Sequence, residues 1–247
     1  MDADSFPIDM VSWDSAISLS RSLADIIRAS GLAPDLVIAI GRGGYVPARV
    51  VCDRLLISDL TSIKIEHWGV AAREFDRAVV RFHLSVDVEG KTILVIDDVT
   101  DTGETLITAT EYLARHRPGE LRTGVLQHKT CSAFQPDYYA ERIAEWKWII
   151  YPWALHEDMI GFLEKVLGDQ PVSPEGLARF LGERFKMYPD MGEVILALDD
   201  MVSLGSQPEG RSVFRGRKQA VAGMTFFCPS LDRTGHVGYE STRTKNG

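Results

Sequence analysis

The sequence predicts an α/β fold in which a mainly parallel, twisted sheet is flanked by helices. Short apolar runs of strand length alternate along the chain with segments of helical periodicity, as in sheets whose strands are joined by crossover helices. One such run, residues 93–96, consists entirely of apolar residues, which is typical of a strand buried on both faces. The composition agrees, because 45% hydrophobic and 25% charged residues are ordinary for a globular protein.

The alternating elements occupy the chain up to about residue 155. Between residues 12 and 30, apolar residues recur at positions i, i+3, i+4 and i+7, which predicts an amphipathic helix that stops at Gly31. Further helices are predicted over residues 46–56 and 106–116, and strands over residues 36–40, 61–66, 92–96, 121–127 and 146–151. Residues 69–81 are polar, charged and poorly periodic, so no regular element is predicted there.

From about residue 168 the composition becomes that of a linker, and a smaller C-terminal region is predicted beyond it. A Ser-Pro pair indicates the start of a helix over residues 173–185. Asp190 and Glu193 form a capping-box pattern, which predicts a second helix to about residue 201.

The role of this C-terminal region stays open between two interpretations. A turn over residues 205–210 and a basic stretch over residues 211–218 follow the two helices, which would fit a winged-helix module and permit DNA binding. A helical appendage is the alternative, and it is favoured because acidic side chains on the second helix would repel phosphates. We therefore predict a main domain over residues 1–167, a small helical or winged-helix-like region over residues 168–220, and a tail of disorder-prone composition over residues 221–247.

Charge and cysteine content exclude several classes of function. A net charge of −8 argues against nucleic-acid or anionic-membrane binding by the surface as a whole, although a local basic patch remains compatible with it. The three cysteines lack C-x-x-C spacing, which indicates a reducing compartment and not a disulfide framework or zinc site. The N-terminus lacks a signal-peptide pattern, and no apolar run approaches about 18 residues. A cytoplasmic protein without a membrane span is therefore predicted.

The strongest functional signal lies in residues 93–105, ILVIDDVTDTGET. An apolar strand leads into Asp97 and Asp98, then into a loop rich in Thr and Gly, and then into a helix. Ligands of open α/β sheets bind beyond the carboxyl ends of the strands. Two carboxylates there can accept hydrogen bonds from a vicinal diol and help to hold a divalent cation. The loop amides and the helix N-terminus favour a phosphate, which Gly103 allows the backbone to approach closely. These parts match a ribose 5-phosphate that carries a leaving group.

This segment resembles the 5-phosphoribosyl-1-pyrophosphate (PRPP) signature of type I phosphoribosyltransferases. Asp101 in the loop is similar to the branch that acts on 6-oxopurines, and the resemblance covers about residues 10–155. It implies the type I phosphoribosyltransferase fold, a ribose diol facing Asp97 and Asp98, and Mg²⁺ that bridges ribose and pyrophosphate oxygens. Asp98 is the expected protein ligand of that Mg²⁺, directly or through water. The remaining PRPP-binding residues that it implies are Arg42, Gly43, Asp101, Thr102, Gly103, Glu104 and Thr105.

Two other segments resemble the parts of this family that hold pyrophosphate. Residues 41–44, GRGG, are similar to its pyrophosphate loop, in which Arg42 would donate to the polyanion. The region over residues 64–81 corresponds to a mobile loop that closes over the reaction centre and excludes water. Arg73 and Arg77 are both candidates to contact pyrophosphate, and the choice between them stays open.

The base side of the site is implied by two further matches. Lys129 aligns with the lysine that recognises the 6-oxo group of the purine. Residues 148–153, WIIYPW, resemble a segment of the bacterial xanthine-guanine enzymes in which the residue aligned with Trp148 stacks on the base and that aligned with Ile149 contacts it. Ala154 is a departure, because related sequences often carry an acidic residue there.

The resemblance implies a purine salvage enzyme that transfers the 5-phosphoribosyl group of PRPP to N9 of hypoxanthine, guanine or xanthine. Asp101 is the expected general base near N7, and a homodimer or homotetramer is expected. A PRPP- or nucleotide-sensing transcriptional regulator on the same fold is the alternative. Asp101, Lys129 and Trp148 favour the enzyme, because a regulator need not retain both the base and its pocket. Lys129 and Trp148 also argue against a pyrimidine acceptor.

Overall fold

The computed structural model describes residues 5–68, 74–167 and 172–205. Its helices are α1 (Trp13–Ala29), α2 (Tyr45–Leu55), α3 (Glu104–Ala114), α4 (Leu155–Val166), α5 (Pro174–Phe185) and α6 (Met191–Gly205). Its strands are β1 (Ile8–Met10), β2 (Leu36–Gly41), β3 (Leu60–Trp68), β4 (Glu74–Phe82), β5 (Thr92–Thr100), β6 (Glu120–Lys129), β7 (Tyr138–Ile143) and β8 (Trp148–Ile150).

The central sheet confirms the predicted α/β class. Its strands lie in the order β4-β3-β2-β5-β6-β7, and all neighbours run parallel except the edge strand β4, which is antiparallel to β3. β2 is buried along its whole length, because helices cover both faces of the sheet. Alternate residues point to opposite faces, so that Val37 and Ala39 pack with α1 and α2 whereas Ile38 and Ile40 pack with α3.

The helix α1 forms where the apolar periodicity predicted it. Ser12 caps its N-terminus, because the Ser12 hydroxyl accepts a hydrogen bond from the backbone N–H of Ser15 at 3.1 Å. Gly31 follows its end with φ +81°, a conformation that favours glycine. Leu23 and Ile27 on one face of α1 are fully buried. None of the helices that the structure describes is long and apolar enough to cross a membrane.

Several elements differ from the sequence-based predictions. β5 extends to Thr100, so the two adjacent carboxylates lie within the end of the strand and not beyond it. The segment over residues 69–81, for which no element was predicted, contains most of β4. The charged residues in the sequence of β4 agree with its position at the edge of the sheet, where charged side chains are common. The strand predicted over residues 146–151 is shortened to β8, which pairs with β1 in a separate two-stranded sheet. Strands β1 and β7 and helix α4 were not predicted.

The C-terminal helices share a hydrophobic core with the small sheet. The helices predicted over residues 173–185 and up to about residue 201 are confirmed as α5 and α6, and Ser173 caps α5 by accepting from the N–H of Gly176. The core that they form contains residues on both sides of the predicted boundary at residue 167, namely Ile8, Ile150, Phe162, Leu181, Phe185 and Leu198. The division into domains stays a prediction. The basic stretch over residues 211–218 and the tail over residues 221–247 lie outside the described residues.

This shared core predicts a large cost for truncating its central aromatic residue. Phe185 is fully buried, and its ring centroid lies 5.0 Å from that of Phe162. We expect Phe185→Ala to lower the free energy of unfolding by about 3–5 kcal/mol in chemical denaturation. Leu196→Ala, at a position on α6 that is 52% exposed, is the matched control and should change it by about 0.5 kcal/mol or less. Equal effects of the two substitutions would contradict the shared core.

Candidate active site

A cavity of about 440 Å³ opens at the carboxyl ends of β2, β5 and β6. Parallel neighbours bring these ends to one edge of the sheet, which is where open α/β sheets bind ligands. The residues of the predicted site that line the cavity are Arg42, Gly43, Asp97, Asp98, Asp101, Thr102, Gly103, Thr105, Lys129, Trp148 and Ile149. Glu104 is the exception, since it is exposed at the start of α3. The fold therefore gathers into one place residues that are more than 100 positions apart in the sequence.

The acidic pair at the end of β5 is held in a desolvated setting. The backbone N–H of Asp98 donates to Oδ1 of Asp97 at 2.9 Å, and the indole N–H of Trp153 donates to Oδ2 of Asp98 at 3.3 Å. Burial raises the pKa of Asp98 to about 6, and burial together with the neighbouring Asp98 charge raises the pKa of Asp97 well above its ordinary value. Gly43 lies so close that a Cβ there would be 2.3 Å from Oδ2 of Asp98. The glycine loop and the acidic pair therefore form one continuous wall.

The loop that follows β5 leads from the cavity into the N-terminus of α3. Gly103 adopts φ +97° as the N-cap of α3, and a Cβ there would lie 2.7 Å from the backbone nitrogen of Phe134. Being glycine, it cannot cap the first amides of α3 with a side chain. The Thr100 hydroxyl is buried and has no hydrogen-bond partner in the described structure. A buried hydroxyl without a partner, close to a helix N-terminus whose N-cap residue has no side chain, fits an anionic ligand such as a phosphate.

Asp101 is bound by two donors on its two oxygens. The Nζ atom of Lys129 lies 2.8 Å from Oδ2 of Asp101, and the indole Nε1 of Trp146 lies 2.9 Å from Oδ1. Both charged partners are buried, since Asp101 is 7% and Lys129 2% exposed. Burial lowers the pKa of Lys129, and the Asp101 charge opposes that shift. The ion pair thus joins the loop after β5 to the last residue of β6.

Arg42 is paired with a carboxylate on the opposite wall. Its Nη2 atom lies 2.5 Å from Oε2 of Glu157 in the first turn of α4, and its side chain is 69% exposed. The guanidinium is therefore at the mouth of the cavity and accessible to a ligand. Of the two other candidate arginines, Arg73 lies outside the described residues and Arg77 lies in β4.

The aromatic segment after β7 forms the remaining wall. Trp148 and Ile149 line the cavity from β8, and the indole N–H of Trp148 donates to Oδ2 of Asp158 at 3.4 Å. The ring of Tyr151 is stacked on that of Trp153, with centroids 4.8 Å apart and an interplanar angle of 2°. The Tyr151 hydroxyl lies 3.0 Å from the backbone oxygen of Asp98, so this segment is hydrogen-bonded to the end of β5 that carries the acidic pair.

Sequence reasoning missed three contributors to the site. Trp146 was assigned only to a strand, and Tyr151 and Trp153 were considered as part of an aromatic segment without contacts to the acidic pair. No local pattern distinguishes these rings from core residues, because their partners lie about 45 to 55 positions away. Position 154 is alanine, where related sequences often carry an acidic residue. Glu157 and Asp158 follow it in the sequence, and both line the cavity.

Comparisons with known proteins agree with this geometry. Residues 13–158 match the family model of the phosphoribosyl transferase domain, a range that includes every residue lining the cavity. A xanthine-guanine phosphoribosyltransferase of Ruegeria sp. (strain TM1040) is 31% identical over 154 residues, which cover 58% of this chain and 83% of that protein. Another from Cereibacter sphaeroides is 29% identical over 149 residues, with 58% and 84% coverage. The solved purine phosphoribosyltransferase from Pyrococcus horikoshii superposes with a TM-score of 0.51 at 28% identity, covering 59% of this chain and 93% of that one.

The raised pKa of Asp98 predicts a pH-dependent effect of removing its charge. Between about pH 4 and pH 6 the folded protein binds more protons than the unfolded chain at this group, so stability is lost as the pH rises through that window. We expect Asp98→Asn to stabilise the ligand-free protein at pH 8 by on the order of 2 kcal/mol and to have a much smaller effect at pH 4. Urea denaturation at the two pH values measures the difference. The same effect at both would contradict a desolvated carboxylate.

Proposed function

The chain belongs to the phosphoribosyl transferase domain family, and on that premise we propose that it transfers the 5-phosphoribosyl group of PRPP to N9 of a 6-oxopurine. It is a purine phosphoribosyltransferase, and the products would be a purine nucleoside monophosphate and pyrophosphate. The observation that carries the proposal is a single cavity lined by a desolvated acidic pair, by the loop at the N-terminus of α3 and by a buried Asp–Lys pair. Each of the three matches one part of the two substrates.

PRPP would occupy the side of the cavity formed by β2 and β5. Asp97 and Asp98 would accept hydrogen bonds from the ribose diol, and the loop over residues 101–105 would hold the 5-phosphate at the N-terminus of α3. Arg42 would exchange its contact with Glu157 for the pyrophosphate, because it is exposed at the mouth. The orphaned Thr100 hydroxyl supports the phosphate assignment.

The residues of the site are compatible with Mg²⁺ that binds together with PRPP. In residues 5–68, 74–167 and 172–205, no group of three or more His, Cys, Asp or Glu side chains is arranged to hold a metal ion. Asp98 is the residue that would help to hold Mg²⁺ when the substrate is bound, since a carboxylate oxygen is a ligand that Mg²⁺ prefers. Bound Mg²⁺ would offset the negative charge of the leaving pyrophosphate. A cation there would also compensate the like charges of the acidic pair.

The purine would occupy the side formed by β6 and β8. Trp148 offers a ring face for stacking, and Ile149 lies beside it. Lys129 has three N–H donors, so it can donate to the 6-oxo group while it keeps its hydrogen bond to Asp101. During the reaction N9 forms its bond to C1 of the ribose while the C1–oxygen bond to pyrophosphate breaks. The purine proton would pass to the carboxylate of Asp101, which acts as general base near N7.

The interpretation of the chain as a transcriptional regulator receives less support than its interpretation as an enzyme. The two relatives compared in sequence carry the names of enzymes. We propose a role in purine salvage, a cytoplasmic location, and a homodimer or homotetramer without membrane contact. The preferred base among hypoxanthine, guanine and xanthine is left to experiment, because the group on C2 distinguishes them.

Pyrophosphate release tests the proposal directly. The full chain is mixed with PRPP, Mg²⁺ and one base at a time: hypoxanthine, guanine, xanthine, adenine, uracil or orotate. We expect turnover with at least one 6-oxopurine and little with the other bases. Saturable PRPP binding without turnover of any base would contradict the proposal and favour the regulator.

Replacing the proposed base tests the role of Asp101. We expect Asp101→Asn to lower kcat by roughly 10²- to 10⁴-fold, the usual contribution of general acid–base catalysis, while the Kd for PRPP stays within a few-fold. Asp53→Asn, on the exposed surface of α2, is the matched control and should retain full activity. Unchanged kcat in Asp101→Asn would remove Asp101 from this role.

A further inference from the structure

We propose that Trp146 is a positioning residue that fixes the carboxylate plane of Asp101 for proton transfer from the purine. The inference rests on the proposed function and adds a residue to it. Trp146 lies in the connection between β7 and β8, and the cavity lining includes Asp101 and Lys129 but not Trp146. The indole therefore acts on the reaction through Asp101, whose Oδ1 it contacts at 2.9 Å.

A second anchor is needed because the carboxylate of an aspartate rotates easily. The torsion about the last bond of Asp is broad, so one hydrogen bond leaves the orientation of the two oxygens loosely defined. Lys129 supplies one anchor on Oδ2, but it is also the residue expected to contact the 6-oxo group when a purine enters. Its ammonium group is a rotatable point charge that must then be shared between two acceptors. The indole N–H is a donor only, and its direction is set by a rigid ring.

Trp146 also contacts the cation of the pair. The Nζ atom of Lys129 lies 4.8 Å from the centroid of the indole, within the range of a cation–π interaction. Trp146 thus contacts both members of the buried ion pair. Its N–H donates to Asp101, and its ring face lies near the ammonium group of Lys129. Loss of the indole N–H alone would leave the ring contact with Lys129 available.

The ring is held by residues outside the family match. Phe6 lies edge-on to Trp146 with centroids 5.5 Å apart, and the same Phe6 lies 5.3 Å from Phe185 of α5 and 6.0 Å from Phe162 of α4. Phe6 precedes the range of residues 13–158 that matches the family, and Phe185 follows it. The C-terminal core therefore extends, through Phe6 and Trp146, to the carboxylate of Asp101.

The test removes the N–H and keeps an aromatic ring. We expect Trp146→Phe to lower the single-turnover rate constant with guanine by about 10- to 100-fold, the usual effect of losing one hydrogen bond to a charged group. The Kd for PRPP should stay within a few-fold. Phe6→Leu should shift the same rate constant in the same direction but by less, because it loosens the ring without removing the donor. Tyr188→Phe is the matched control, since it removes a hydrogen-bond donor from a ring that is 74% exposed and outside the cavity lining.

A second substrate separates positioning from a general loss of structure. With 8-azaguanine, whose ring N–H is more acidic than that of guanine, proton transfer needs less help from Asp101. We expect the defect of Trp146→Phe to shrink at least several-fold with this base. An equal defect with both bases, or an undiminished rate in Trp146→Phe with guanine, would overturn the inference. Failure of the wild-type chain to turn over any 6-oxopurine would instead overturn the proposed function.

Discussion

The buried ion pair between Asp101 and Lys129 is the interaction on which the geometry of the site depends. A carboxylate and an ammonium that have lost almost all contact with water must be paired, because either charge alone would be strongly destabilising there. Asp101 follows β5 and Lys129 ends β6, so the pair forms only if these strands are adjacent, parallel and in register. The register that pairs Thr100 with His128 brings the two groups to the same edge. The contact that orients the two charged groups of the cavity therefore depends on the order and register of β5 and β6.

The charged groups of the site contact one another, and a ligand has to replace some of those contacts. Arg42 is paired with Glu157. Burial raises the pKa of both Asp97 and Asp98, and the Asp98 charge adds to the shift of Asp97. A diol with a nearby cation would stabilise the ionised acidic pair, and a polyanion would compete with Glu157 for Arg42. The free energy stored in these unfavourable arrangements lowers the stability of the free protein and favours a ligand with both features. Functional sites often carry such local costs.

The sequence was most informative where one segment carries both its structure and its chemistry. Residues 93–105 combine a buried strand, an acidic pair and a helix start, so the strand, the loop and α3 could all be predicted there. Strand β1 and its pairing with β8 could not be predicted in this way, because a strand of three residues shows no periodicity. The contact of Trp153 could not be predicted either, because its hydrogen bond to Asp98 joins residues 55 positions apart and no local sequence pattern indicates it. Contacts of this kind follow from the tertiary fold and not from any window of sequence.

The segments outside the family match form part of the support of the site. The first strand of the chain pairs with β8, so the backbone that carries Trp148 and Ile149 is hydrogen-bonded to residues 8–10. Helices α5 and α6 bury Leu177, Phe185 and Leu198 against the same small sheet and against α4, whose first turn presents Glu157 to Arg42. His156 of that turn contacts Asp200 of α6 at 2.9 Å, which ties the start of α4 to the C-terminal helices. Because cores are closely packed, a change in these helices reaches the base side of the cavity through a few rigid contacts. The C-terminal helices therefore pack against the elements that carry Trp148 and Glu157, namely β8 and α4.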